Sequence, residues 1–102
     1  MEDLSKEAIE VFRECIPLFQ ALSDPYRQDI ILMLSDGEAL TVNEITEKTS
    51  LSRPAISHHL KILRDNQLVL IEQKGTHRYY SLAIDSSLEL LRKLIITVEQ
   101  HC

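Results

Sequence analysis

Two helix starts stand eleven residues apart in the middle of this 102-residue chain, and that spacing restricts the fold more than any other feature. Thr41 followed three places later by Glu44 is a capping box, in which each side chain satisfies a backbone N–H that a helix start leaves without a partner. Ser52 is the second start, since serine is a favoured N-cap and Pro54 falls in the first turn, where a proline ring is tolerated. The first of these helices therefore runs to about Lys48, with Val42 and Ile45 inward, and Thr49-Ser50-Leu51-Ser52 is a tight turn into the next. Ile56, Leu60 and Leu63 make one stripe of that next helix and leave Arg53, Ser57, His58, Lys61 and Arg64 largely on the other side. Two short helices joined this closely form a helix-turn-helix unit.

The flanking pattern completes a small domain. Apolar residues at Ala8, Phe12, Cys15, Ile16, Phe19 and Leu22 predict an amphipathic helix over 4–22, with a kink or a new start near Ile16 because Pro17 cannot sit unbroken inside it. Asp24-Pro25 opens a second helix carrying Tyr26, Ile30, Ile31 and Leu34, which Asp36-Gly37 stops. After Asn66 the period changes: Leu68–Ile71 and His77–Leu82 flank Lys74-Gly75-Thr76 as a β-hairpin with a basic tip. Asp85-Ser86-Ser87 caps a last helix over 86–100, with Leu88, Leu91, Ile95 and Val98 on one stripe and Leu90, Leu94 and Ile96 widening it. Such a helix is too apolar to lie exposed at the end of a monomer. No linker or repeat divides the chain, so one domain over 1–102 is expected, of α+β class and mostly helical: a winged helix-turn-helix of five helices and a two-stranded hairpin.

Charge points to what the domain touches. The net charge of -5 suits a nucleic-acid binder poorly until it is divided by position. From Arg53 to Arg78 there are five basic and two acidic residues, against six basic and fourteen acidic elsewhere, so the positive charge is confined to the second helix of the unit and the hairpin. Arg53, Ser57, His58 and Lys61 are polar side chains suited to base edges and phosphates in a major groove, and Ser52 and Arg53 stand at a helix N-terminus, which favours a phosphate. On the wing, Lys74, Thr76 and Arg78 surround Gly75, which permits a tight turn along the neighbouring minor groove. Taken singly, each of these has a plainer reading as solvated surface or edge protection; their order along the chain is what selects double-stranded DNA as the partner. His58 and His59 adjoin and point in different directions, so they are no metal pair, and His59 is expected to pack or to bond the backbone.

Other classes fit less well. The acidic opening Met-Glu-Asp-Leu-Ser is unlike a secretion signal, and no run approaches the roughly 18 apolar residues of a membrane span, so a cytoplasmic protein with no membrane partner is expected. Cys15 and Cys102 form no spaced framework, in keeping with a reducing compartment. There is no phosphate loop, nucleophile elbow or metal cage, and Ser57 with His58 are neighbours on one helix rather than parts of a triad, so no enzyme and no cofactor is expected. A winged helix that binds protein instead of DNA would share the fold, with a less basic face.

The segments ALSDPYRQDIILML, LTVNEITEKTSLSRPAISHHLKILRDNQLV and GTHRYYSL, in that order, resemble the ArsR/SmtB family of bacterial winged-helix repressors over about Phe19 to Leu82. The resemblance implies a homodimer joined by the first and last helices, with Phe12, Cys15, Phe19, Leu88, Leu91, Ile95 and Val98 at the interface, and release of an operator by an inducer that the sequence does not identify. It also supplies two metal-site frames. Where the arsenic-sensing type has Glu-Leu-Cys-Val-Cys-Asp-Leu, this chain has Ala39-Leu40-Thr41-Val42-Asn43-Glu44-Ile45, with neither cysteine. The zinc-sensing frame of the last helix falls on Asp85, Ser87, Val98 and His101, where two of four ligands survive, too few for a closed site, so no metal is expected. The alternative is a thiol switch or soft-metal site made by Cys15, Cys102 and His101. Its plainer rival makes Cys15 a small buried hydrophobe and His101-Cys102 a frayed end.

Overall fold

The computed structural model describes residues 3–102, with side chains from Lys6 onward; of the acidic opening, Met1 and Glu2 lie outside the described residues. The elements are α1 (Asp3–Glu14), α2 (Ile16–Leu22), α3 (Pro25–Ser35), α4 (Val42–Glu47), α5 (Arg53–Asp65), β1 (Val69–Lys74), β2 (His77–Leu82) and α6 (Asp85–His101). The single first helix of the sequence reading is thus two, giving six helices rather than five among the described residues. Pro17 is the cause. In an unbroken helix its ring would strike the carbonyl four residues back, so the chain restarts at Ile16 with the proline in the first turn, where no N–H is missed.

The sequence signals for helix starts act as expected at three places. Asp24 Oδ1 accepts the N–H groups of Tyr26 at 2.8 Å and Arg27 at 3.1 Å. Thr41 and Glu44 exchange both bonds of the capping box, at 2.9 and 3.2 Å. Ser52 Oγ accepts the Ala55 N–H at 3.4 Å, a long bond. The start of α6 differs: Asp85 is already its first residue, Ile84 is the N-cap, and no side chain caps it. Ser87, read as part of that cap, is instead buried.

At the end of α5 the Gln67 N–H reaches the Arg64 carbonyl at 2.9 Å and the Leu68 N–H reaches Leu63 at 2.9 Å. This is a Schellman ending, and it requires the left-handed backbone that Gln67 adopts at φ 58°. It turns Leu68 and Val69 into the core and aims β1 outward. The hairpin pairs Val69 with Leu82 through Lys74 with His77, leaving Gly75-Thr76 as a two-residue turn with positive φ at the glycine alone. Leu40 adds a bridge to Tyr80, with N–H···O distances of 2.9 and 2.7 Å.

Ile30, Leu34, Ile45, Ile56, Leu60, Leu63 and Leu68 are fully buried and hold α3, α4, α5 and the base of the wing together. A second, smaller cluster of Val11, Cys15 and Leu94, with Leu90 and Val98 against it, is the seam between α1 and α6. The whole is elongated, 53 × 24 × 19 Å.

Candidate nucleic-acid interface

The core fixes which side of α5 is free. Ile56, Leu60 and Leu63 are wholly inaccessible, whereas Ser52, Arg53, Ser57, His58 and Lys61 are all exposed, as their spacing predicted. Among the described residues the one salt bridge joins Arg92 to Glu89 at 3.9 Å, far along the chain on α6. Among the described residues no carboxylate forms an ion pair with Arg53, Lys61, Lys74 or Arg78, on a chain that is acidic elsewhere.

The wing brings some of the predicted residues to this face and sends one away. Arg53 and Ser57 of α5 line a cleft of about 330 Å³ with Thr76, His77, Arg78 and Tyr80 of the hairpin and with Thr41, Val42 and Asn43 at the start of α4. In a two-stranded ribbon, cross-strand partners share a face and successive residues alternate. Arg78 pairs with Gln73, while Lys74 pairs with His77 and lies on the side of Tyr79. The Lys74 ammonium stands over the Tyr79 ring, 5.7 Å from its centre. Lys74 and Arg78, grouped together as the flanks of the tip, thus occupy opposite faces of the ribbon, and of the two Arg78 lines the cleft. Asn43 and His77 were missed as cleft residues. Period-two alternation could have separated Lys74 from Arg78, but only the packing of α4 against α5 puts Asn43 there.

One carboxylate borders this region and is held charged. The backbone N–H of Thr41, with its hydroxyl, keeps Glu44 below the usual carboxylate range, and Lys48 and His77 add to this against some desolvation. Glu44 is spent on the cap of α4.

Behind the exposed face, His59 is half-buried and its Nδ1 lies 3.1 Å from the Arg27 guanidinium of α3. Arg27 also donates through Nε to the Ala21 carbonyl at 2.8 Å and through its second terminal nitrogen to Gln20 at 3.1 Å. Asp24, at the cap of α3, is held low chiefly by the Arg27 N–H bond, with the charge of Arg27 and the Tyr26 N–H assisting against desolvation. The expectation that His59 packs or bonds the backbone did not include this partner, a side chain thirty-two residues away.

A family model described as bacterial regulatory protein, arsR family, matches residues 24–69, from the cap of α3 to the first residue of β1. The transcriptional repressor SdpR of Bacillus subtilis is 42% identical over 65 residues, covering 64% of this chain and 71% of SdpR. The arsenical resistance operon repressor of Staphylococcus aureus is 34% identical over 94 residues, covering 89% of this chain and 88% of that protein. The chain belongs to the ArsR family. It is accordingly a DNA-binding transcriptional repressor and no enzyme. Among solved structures, HlyU from Vibrio cholerae matches with a TM-score of 0.63 at 31% identity, over 92% of this chain and 97% of HlyU. An ArsR-like regulator from Rhodococcus reaches 0.81 at 24% identity, over 90% and 84%, a likeness of fold alone.

The sensing positions that the ArsR resemblance supplied can now be placed. Thr41, where the arsenic-sensing frame has its first cysteine, is committed to capping α4, and Asn43 faces the cleft. Of the zinc frame, Ser87 is buried and Val98 half-buried against the α1–α6 seam. Cys15 is wholly buried, and burial, with the Glu14 charge beside it, pushes its thiol up. Cys102 is exposed at the far end of α6. It lies eight residues beyond Leu94, the neighbour of Cys15, or about 12 Å of helix. The structure does not bring Cys15 and Cys102 together within one protomer. No group of three or more His, Cys, Asp or Glu able to hold a metal ion occurs among the described residues, and no helix there is long and apolar enough to cross a membrane.

Proposed function

We propose that this ArsR-family repressor acts in the cytoplasm as a homodimer on a near-palindromic operator, placing α5 of each protomer in successive major grooves about one helical turn apart. Repression follows from occupying the promoter. The observation that carries this reading is the cleft in which Arg53, Ser57 and Arg78 converge, where neither arginine is ion-paired to a described carboxylate. Ser57 and His58 reach base edges, Lys61 holds a neighbouring phosphate, Ser52 and Arg53 hold the backbone phosphate at the N-terminus of α5, and Thr76 and Arg78 follow the strand toward the minor groove. Lys74, on the other face of the ribbon, reaches a phosphate farther along.

Support for the homodimer comes from a regularity in the exposed apolar residues. Ala8, Cys15 and Leu94 are buried, and the residues one place before them, Glu7, Glu14 and Lys93, line a groove along α1 and α6 that Leu90 and Ile96 share. The residues one place after a buried neighbour are apolar instead: Phe12 after Val11, Ile16 after Cys15, Phe19 after Leu18, Leu88 after Ser87, Ile95 after Leu94 and Val98 after Thr97. One step along a helix is about 100° of rotation, so these residues occupy a flank of their helices adjoining the buried seam. Phe12, Ile16, Phe19 and Ile95 remain 40–57% exposed, an apolar area suited to a second copy. Cys15 belongs to the seam inside the protomer rather than to that flank.

A fluorescence-anisotropy titration with duplex DNA from upstream of the protein's own reading frame, at several salt concentrations, tests the reading. Binding should fall steeply with salt, and Arg53→Ala or Lys61→Ala should each lower the salt slope by about one. Unchanged affinity and slope in both variants would remove α5 as the DNA-reading helix.

A further inference from the structure

Arg27 contacts three acceptors at once, and they belong to different parts of the fold. Two are the last-turn carbonyls of α2, Gln20 and Ala21, at 3.1 and 2.8 Å. The third is His59 Nδ1 on α5, at 3.1 Å. A guanidinium has five N–H donors and no lone pair to offer. Nδ1 must therefore present its own lone pair, which fixes His59 as the neutral imidazole with its proton on Nε2. An imidazolium would set N–H against N–H and one positive charge against another. α2 carries Ile16 and Phe19 of the proposed dimer face, and α5 is the proposed reading helix. The Arg27–His59 bond is thus a polar tie between the element that pairs protomers and the element that meets DNA.

We propose that Arg27 is a positioning residue that sets α5 against α2 through neutral His59, and that protonation of His59 breaks this tie and weakens operator binding. The proposal rests on the reading of α5 as the DNA-facing helix. The charged and titratable groups around His59 are few. Arg27 and Tyr26 face it from α3, the tyrosine ring centre at 6.0 Å; Asp24 faces it from the cap of α3; His58 adjoins it on α5 with ring centres 6.1 Å apart. Asp24 Oδ1 already accepts two backbone N–H groups. A proton on Nδ1 takes up the lone pair that Arg27 uses and sets an imidazolium against the guanidinium, so the bond is lost.

The test compares wild type, Arg27→Gln, Arg27→Lys and His59→Asn on the same upstream duplex between about pH 8 and about pH 5, the range in which imidazoles titrate. Circular dichroism checks that each variant is folded. Asparagine offers a carbonyl oxygen near the position of Nδ1 and cannot take up a proton there, so His59→Asn should bind like wild type at the alkaline end. It should lose less affinity on acidification. Both arginine variants should bind about tenfold more weakly at the alkaline end, the worth of one hydrogen bond to a charged group. Effects of acid common to both proteins cancel in the comparison, so the difference between wild type and His59→Asn isolates His59. In the free protein, long-range proton–nitrogen correlation spectra of the ring should show the Nε2–H tautomer in wild type and a tautomer mixture in Arg27→Gln. Wild-type affinity in both folded arginine variants, or identical pH profiles for wild type and His59→Asn, would overturn the proposal. So would a tautomer mixture in the wild-type ring. If wild type bound no DNA, the reading of the face would fall on its own, and the ring spectra would still decide whether Arg27 fixes His59.

Discussion

Replacing Ile95 by alanine should loosen the protomer pair by an amount that follows from its exposure. Fully burying an isoleucine side chain contributes about 1.5–3 kcal/mol. Ile95 is 57% exposed in the protomer, so about half of that contribution is left for a partner to supply. A twofold interface uses the residue twice, and alanine retains its Cβ, which leaves a loss of about 1.5–2.5 kcal/mol, or roughly 10- to 60-fold in the dimer dissociation constant. Leu70, 47% exposed on the wing, is the control of matching character. Sedimentation equilibrium across a dilution series should show Ile95→Ala dissociating at a markedly higher concentration than wild type, with Leu70→Ala unmoved. A wild-type protein that is monomeric at every concentration would refute the argument, as would a Leu70→Ala variant weakened as much as Ile95→Ala.

Other consequences can be measured separately. Asp24→Ala removes the cap of α3 and should cost about 1 kcal/mol at neutral pH by denaturant titration. Because Asp24 is held below the usual range in the fold, its contribution is present above about pH 4, the ordinary value for an unfolded aspartate, and is lost as pH falls through its folded value. The gap between wild type and Asp24→Ala should therefore narrow on strong acidification, and a constant gap would contradict the capping role. Gln67→Gly relieves a left-handed backbone at a residue with a side chain and should raise stability by about 0.5–1 kcal/mol; a lower thermal midpoint would show that the Gln67 side chain holds the turn. Arg78→Ala should couple with Arg53→Ala in a double-mutant cycle on DNA, since the two share a cleft, whereas Lys74→Ala should add independently.

Most of the architecture is legible in the sequence because it is written in local signals. Asp24-Pro25, the Thr41–Glu44 box and Ser52 each satisfy backbone groups within four residues, so no distant contact is needed to interpret them. The apolar stripe of α5 works the same way: once Ile56, Leu60 and Leu63 face inward, the exposed residues follow. The Schellman turn at Gln67 was hidden because glutamine gives no sign of a left-handed backbone, and the packing of Leu68 and Val69 imposes it. The serines before α6 read as caps but are not used as such, because Ser87 is drawn into the interior. The Arg27–His59 tie depends on a contact across thirty-two residues, which no local pattern announces. Cys15 shows how an apolar stripe can conceal two surfaces: the helical period placed it with Phe12 and Phe19, but the seam with Leu94 takes it from them.

That seam gives the protein a pair of chemical clocks. Cys102 is open to solvent and should react with a thiol reagent at the rate of an unhindered cysteine, while Cys15, shut behind Leu94 with its thiol held protonated, should react only when α1 parts from α6. The slow phase of labelling therefore times the opening of the layer on which the dimer is proposed to stand. DNA or any small molecule that tightens or loosens that layer should leave its mark on the slow phase and not on the fast one.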